Sequence, residues 1–178
     1  MKVENLNHRS NIKDLCLIKI NSFYDFRGEN FEGFNFDAYQ NIFQESKSWK
    51  EQNNSFIVDS FSKSYKGVLR GFHGDSLTWK LIDCLYGSIH FVVIDMRPDS
   101  PTYGVHQTFN LNENDKLQVL VPNGCVNAHL CLSDYCLFHY KFTHQYVPQD
   151  KQIHVKWNDP KYNVFWPIKD PILSQRDK

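Results

Sequence analysis

From Lys66 to Tyr140 the chain alternates short apolar runs with turn residues, the pattern of an all-β sandwich or barrel. Leu15–Ile20 reads as a first short strand ahead of this region. Phe36, Tyr39 and Phe43 then recur at helical spacing, which predicts one amphipathic helix of about three turns. Glu51–Ser55 reads as a loop, and Phe56–Val58 resumes extended structure. Lys80–Leu85 and Ile89–Met96 flank Tyr86-Gly87-Ser88 and are expected to form a hairpin. Thr108–Leu111 and Lys116–Val121 flank a second polar turn, and Pro122-Asn123-Gly124 breaks the chain before Cys125–Leu132. Ser133-Asp134 turns it back into Tyr135–Phe142. The pattern predicts an antiparallel β barrel preceded by a short helix, with no repeat, linker or low-complexity tract, in one domain spanning residues 1–178.

Composition narrows the function classes. A chain of 178 residues, 41% hydrophobic and 15% aromatic, has enough apolar material for one substantial core. Its 20 basic residues balance 20 acidic ones without a basic run, so nothing points to nucleic acid. No apolar stretch approaches the length of about 18 residues that a membrane helix needs, and the N-terminal residues lack the pattern of a signal peptide. The five cysteines are odd in number and include no C-x-x-C pair, which suggests reduced thiols and a cytoplasmic protein. Cys125 and Cys131 lie in an apolar strand and read as packing groups.

Candidate chemistry centres on Lys66–Asp75, KGVLRGFHGD. Arg70, His73 and Asp75 stand beside Gly71 and Gly74, and glycine within a strand marks a bulge or a close approach. Strict alternation puts Arg70 and His73 on opposite faces, whereas a bulge would turn both toward one pocket. A sheet edge carrying solvated charges is the competing reading. In Cys125–Leu132, Asn127 and His129 share a face with Cys125 and Cys131, so they either line a cavity or are satisfied core polar groups. Tyr140 shares its face with Cys136, Phe138 and Phe142, which by periodicity alone is packing. A small β barrel with a His-x-His pair can hold a metal, but here the pair reads His73-Gly74-Asp75. The later ligand positions carry Thr78-Trp79-Lys80 and Asn127, and a lysine within such a cage repels a divalent ion. Gly-rich phosphate loops and nucleophile elbows are absent.

Several pieces in order resemble the nucleotide-sugar 3,5-epimerases of the cupin superfamily. They are Asp25-x-Arg27-Gly28 with Glu32, SYKGVLRGFH (Ser64–His73), Lys80-Leu81 and IDMR (Ile94–Arg97). Ser100–Gly104, VPNG (Val121–Gly124), Tyr140-Lys141, WNDP (Trp157–Pro160), Trp166-Pro167 and Leu173-Ser174-x-x-Asp177 complete the series. The resemblance implies a cupin-type antiparallel jelly-roll barrel with a few short helices. It also implies a homodimer that needs neither metal nor organic cofactor and that deprotonates a nucleotide-linked 4-keto sugar beside its ketone. By the same resemblance His73 is the base, Asp177 its partner carboxylate, Lys80 the stabiliser of the enolate oxygen, and Tyr140 the acid on the opposite face. Arg27, Glu32, Arg70 and Arg176 match positions that hold the nucleotide diphosphate.

The departures are Asn127 where the family has a histidine, His129 two residues on, and Gly74-Asp75 after the base. The family's Gln-Asp-Asn stretch reads Val58-Asp59-Ser60. Asp75, Asn127 and His129 would then face the sugar, and HGD with NAH resembles a subgroup acting on GDP-linked 4-keto-6-deoxy-heptoses for bacterial surface polysaccharides. Competing readings are a 3,4-ketoisomerase, a nucleotide-sugar-binding module without catalysis, and a metal-dependent cupin.

Overall fold

The computed structural model describes residues 2–6, 10–46, 49–50 and 55–178. Most of the loop expected at Glu51–Ser55 lies outside the described residues. The described elements run in the order β1 (Val3–Asn5), β2 (Cys16–Ile20), β3 (Ser22–Asp25), β4 (Gly28–Phe31), α1 (Phe36–Glu45), β5 (Val58–Tyr65) and β6 (Leu69–Gly74). They continue with β7 (Lys80–Tyr86), β8 (Ser88–Asp95), β9 (His106–Asn112), β10 (Leu117–Val121), β11 (Cys125–Cys131), β12 (Tyr135–Phe142) and β13 (Ile153–His154). The helix forms where its apolar spacing predicts. Asn35 caps it by accepting from the Ala38 amide at 3.3 Å, and Tyr39, Ile42 and Phe43 form its buried face.

Two antiparallel sheets make the body, in the orders β1-β2-β10-β7-β12-β5 and β13-β6-β11-β8-β9, and β3-β4 forms a separate two-stranded ribbon. From β5 to β12 the chain changes sheet at every connection except β8 to β9, which is the jelly-roll arrangement. The hairpin expected around Tyr86-Gly87-Ser88 is therefore not one. β7 pairs with β10 and β12, β8 pairs with β9 and β11, and Gly87 at φ +75° carries the chain from one sheet to the other. The physical reason is burial on both faces. Ile82 and Cys84 of β7 pack between the sheets with Phe91 and Val93 of β8. Their strand neighbours face outward into different layers, Leu81 against α1 and Trp49, and Val92 and Ile94 against Tyr162 and Trp166. An apolar run with no polar face carries no sign of which sheet it joins.

β6 carries the bulge that its glycines suggest. His73 opposes Asn127 and Arg70 opposes His129, so Gly71 and Phe72 together face the single residue Ala128. As a result Leu69 and Phe72 both join the outer apolar layer, while Arg70 and His73 both turn into the barrel. Gly71 has φ +121°, and a Cβ there would lie 2.5 Å from the Asn127 carbonyl oxygen and 2.7 Å from the Ala128 Cα. Only glycine fits.

On the opposite wall, the outward face of β12 holds His139 within a polar network. Its Nδ1 lies 2.9 Å from Asp83 and its Nε2 2.5 Å from Asp59, which also pairs with Lys141, while Phe61 stacks on the ring at 4.8 Å. Gln118 donates to Asp83 at 2.6 Å and accepts from the Tyr39 hydroxyl. Burial disfavours the charged imidazole, but the two carboxylates outweigh it and raise the His139 pKa.

Gly71→Ala should lower the unfolding free energy by about 1–3 kcal/mol or more in denaturant titrations; unchanged stability would mean that the bulge tolerates a side chain. His139, with a folded pKa above its unfolded one, contributes stability that is complete below about pH 6.5 and is lost as pH rises through the folded value. Unfolding free energies measured from about pH 6 to 9 should show wild type more stable than His139→Gln at the acid end, with the gap between the two closing as pH rises. A gap that stays constant across the range would contradict this origin.

Candidate active site

A cavity of about 230 Å³ opens between the two sheets. One wall comes from β6 and β11 of the five-stranded sheet, which supply Arg70, His73, Asn127 and His129. The facing wall comes from β5, β7 and β12 of the six-stranded sheet, which supply Ser62, Lys80, Phe138 and Tyr140. Asp75 and Arg176 also line it. Eight of the residues singled out from the sequence thus meet in one place.

Asp177 reaches the cavity through His73. Its Oδ1 lies 2.7 Å from His73 Nε2, its other oxygen accepts from the Ser174 hydroxyl at 2.8 Å, and only 3% of it is exposed. A parallel bridge between Val68 and Ile172 fastens this terminal segment to the residues just before β6. With Nε2 engaged by a carboxylate, the second ring nitrogen of His73 is left for a substrate proton. Burial lowers the His73 pKa to about 4 against the opposing pull of Asp177, so the imidazole is neutral at neutral pH.

Lys80 is 8% exposed and donates to Asn127 Oδ1 at 2.6 Å and to the His73 carbonyl at 3.1 Å. Burial lowers its pKa to about 8, and Asp75 opposes that shift. The Asn127 amide oxygen is an acceptor that cannot ionise, so this departure from the family pattern gives the lysine a fixed neutral partner. Asp75 has a structural task as well, because its Oδ1 accepts from the Leu77 and Thr78 amides at 2.8 and 2.7 Å and shapes the turn into β7. Burial raises the Tyr140 pKa, with Arg70 opposing, so the phenol keeps its proton. Arg70 is steadied by donation from Nε to Ser64 Oγ at 2.9 Å, and Arg176 by donation to Gln152 at 2.6 Å.

Arg27 and Glu32 stand elsewhere. They do not line this cavity: Arg27 sits at the tip of the β3-β4 ribbon, 76% exposed and paired with Asp25 at 2.6 Å, and Glu32 is exposed just after β4. The ribbon's two strands pair with each other and with neither sheet, Glu29 joining them to Lys116 just before β10 at 2.7 Å, so its tip stands apart. Sequence reasoning missed three others. Ser62 alternates onto the cavity wall from β5, and its hydroxyl, like His129 Nε2, is buried with no hydrogen-bond partner among the described residues. Gln152 lines the mouth and orients Arg176. His154, in the two-residue strand β13, stacks on His73 with ring centres 5.5 Å apart. Cys125 is inert, as its packing role implies, because burial pushes its thiol up to about 12.

Residues 9–178 match the family model described as dTDP-4-dehydrorhamnose 3,5-epimerase. The chain belongs to that family. It is 35% identical over 170 residues to the dTDP-4-dehydrorhamnose 3,5-epimerase of Salmonella typhimurium, covering 93% of this chain and 88% of that protein. The crystal structure of dTDP-6-deoxy-D-glucose-3,5-epimerase from Legionella pneumophila in complex with dTDP-4-keto-L-rhamnose superposes with a TM-score of 0.88 at 30% identity. That match covers 98% of this chain and 89% of that one. A 3′-monoepimerase from Streptomyces bikiniensis in complex with dTDP-quinovose gives 0.83 at 25% identity, covering 94% and 83%. As a member of the family the chain is an epimerase, an enzyme of the isomerase class, on the cupin-like jelly roll expected from its sequence. Among the described residues, no helix is long and apolar enough to cross a membrane.

Proposed function

We propose that this enzyme inverts C3, C5 or both in a nucleotide-linked 4-keto-6-deoxy sugar, using only its own side chains. The observation that carries the reading is the placement of His73, held by Asp177, and Tyr140 on different sheets facing one cavity, with Lys80 on its wall. A ketone at C4 acidifies the protons on C3 and C5. His73 takes one of them, the electron pair moves onto the C4 oxygen, and Lys80 donates to the resulting enolate. Tyr140 then delivers a proton to the same carbon from the opposite side of the ring, which inverts it. Exchange with solvent removes the proton from His73 and restores the phenol.

Arg70 and Arg176, both on the cavity wall, suit the diphosphate through their forked donors. Asp75, Asn127 and His129 are assigned to the sugar side, where they distinguish this chain from its relatives. The relatives above act on or bind dTDP-linked sugars, and the HGD and NAH segments favour a GDP-linked heptose as the competing substrate. Residues 1–178 act as one domain in this reading, in a cytoplasmic homodimer serving surface polysaccharide synthesis. Phe23, Tyr24 and Phe26 of the β3-β4 ribbon are 71%, 71% and 97% exposed, and burying them against a second subunit would bring Arg27 and Glu32 to the partner's cavity.

The test is incubation with dTDP- and GDP-linked 4-keto-6-deoxy sugars in deuterium oxide, followed by NMR. Label at C3 and C5 is expected for a double epimerase and label at C3 alone for a monoepimerase. His73→Asn and Tyr140→Phe should each lower turnover by about 10²–10⁴-fold while melting like the wild type. Full activity in both variants would refute the roles assigned, and tight binding without any label would leave a binding module.

A further inference from the structure

We propose that His73, His154 and Asp177 form a binding site for a divalent transition-metal ion such as zinc, and that filling it halts proton transfer. The halting step rests on the epimerase reading above; the binding step does not. Three separate parts of the chain converge here. β13 pairs with β6 so that His154 lies directly opposite His73, and the terminal segment brings Asp177 to the same imidazole. One donor atom from each residue lies within 4.8 Å of the others.

Donors of one ion bound at about 2.1 Å lie about 3.4 Å apart, and the exposed His154 ring closes the set by turning toward the other two. Two imidazoles bound at about 2.1 Å with a near-tetrahedral angle place their ring centres about 5 Å apart. Here the centres are 5.5 Å apart with planes inclined by 26°. The carboxylate is also in place, 2.7 Å from His73 Nε2, and is steadied from behind by Ser174. A hydrogen bond of that kind to the far oxygen fixes the direction in which the near one points. Access is open from one side only, because His154 is exposed, His73 is 26% exposed and Asp177 is buried. Two nitrogens and one carboxylate favour zinc, cobalt or ferrous ions over magnesium or calcium, which prefer all-oxygen sets. Lys80 and Arg176 are the cations beside the cluster, and they weaken it relative to a cage of neutral ligands. The site differs from the barrel-centre cage that Lys80 disfavours, since its second histidine and its carboxylate come from the C-terminal segment and not from β7 or β11.

Occupation would disable the base for a simple reason. A neutral imidazole has one lone pair, so a metal on either nitrogen of His73 leaves a proton on the other. The ion also takes the Asp177 oxygen that orients the ring. No step of the proposed mechanism can then begin.

The test uses metal-free wild type and His154→Ala, with cobalt(II) as the spectroscopic probe and zinc as competitor. Cobalt should give the visible d–d band of a low-coordinate nitrogen and oxygen site in the wild type, and zinc should abolish it. His154→Ala should lose the band and bind zinc at least about 10–100-fold more weakly, the range that even outer-shell partners command. No band, or the same band in both proteins, overturns the site. This arm needs no substrate, so its outcome is independent of the epimerase reading. In the second arm, zinc should slow deuterium incorporation in the wild type, EDTA should restore it, and His154→Ala should need about tenfold more zinc or higher, relative to its own uninhibited rate. Cobalt binding with undiminished exchange in the presence of zinc overturns the switch.

Discussion

Two residues of β6 opposing one of β11 decide what the cavity contains. Without that extra residue, alternation would send either Arg70 or His73 into the outer apolar layer, where a charged or polar group costs several kcal/mol. With it, Leu69 and Phe72 fill that layer and the arginine and histidine share the interior, three positions apart. The requirement falls on Gly71, whose missing Cβ lets β11 approach. The rest of the site is built from partners to the two side chains so placed. Asp177 meets His73, Ser64 meets Arg70, and Asn127, opposite His73, accepts from Lys80.

The jelly-roll topology supplies the second requirement of an inverting enzyme, two groups on opposite sides of one ring. Because the chain crosses between sheets at almost every turn, His73 and Tyr140 arrive on facing walls of the cavity. Both sheets are backed by an outer apolar layer, one by α1 with Trp49 and Trp79, the other by the C-terminal Tyr162 and Trp166. The same C-terminal segment that seals the second layer delivers Asp177. Packing and chemistry are coupled there, so loosening the tail would be felt at His73.

Much of this was legible in the chain. The helix showed in the spacing of Phe36, Tyr39 and Phe43, and the bulge in two glycines set among ionisable groups. The cavity face of β11 showed in Asn127 and His129 sharing a side. Strand partners were not legible where both faces are apolar, which is why Tyr86-Gly87-Ser88 read as a hairpin and proved to be a corner between sheets. The pairing of His73 with Asp177, 104 residues apart, leaves no periodic trace and came from the family pattern alone. That pattern also nominated Arg27 and Glu32, but one chain by itself keeps them on an exposed ribbon away from its own cavity. His154 gave no signal, since two residues of strand are too few to show alternation.

The central claim is a division of labour: His73 removes the proton from one face, and Tyr140 returns one to the other. Deuterium exchange at C3 and C5 in Tyr140→Phe, with the configuration of each centre read by NMR, tests it most directly. The account predicts that this variant still exchanges protons for deuterium, with configuration retained, because His73 can return what it took. Inversion at an undiminished rate in Tyr140→Phe, or loss of exchange as complete as in His73→Asn, would contradict it.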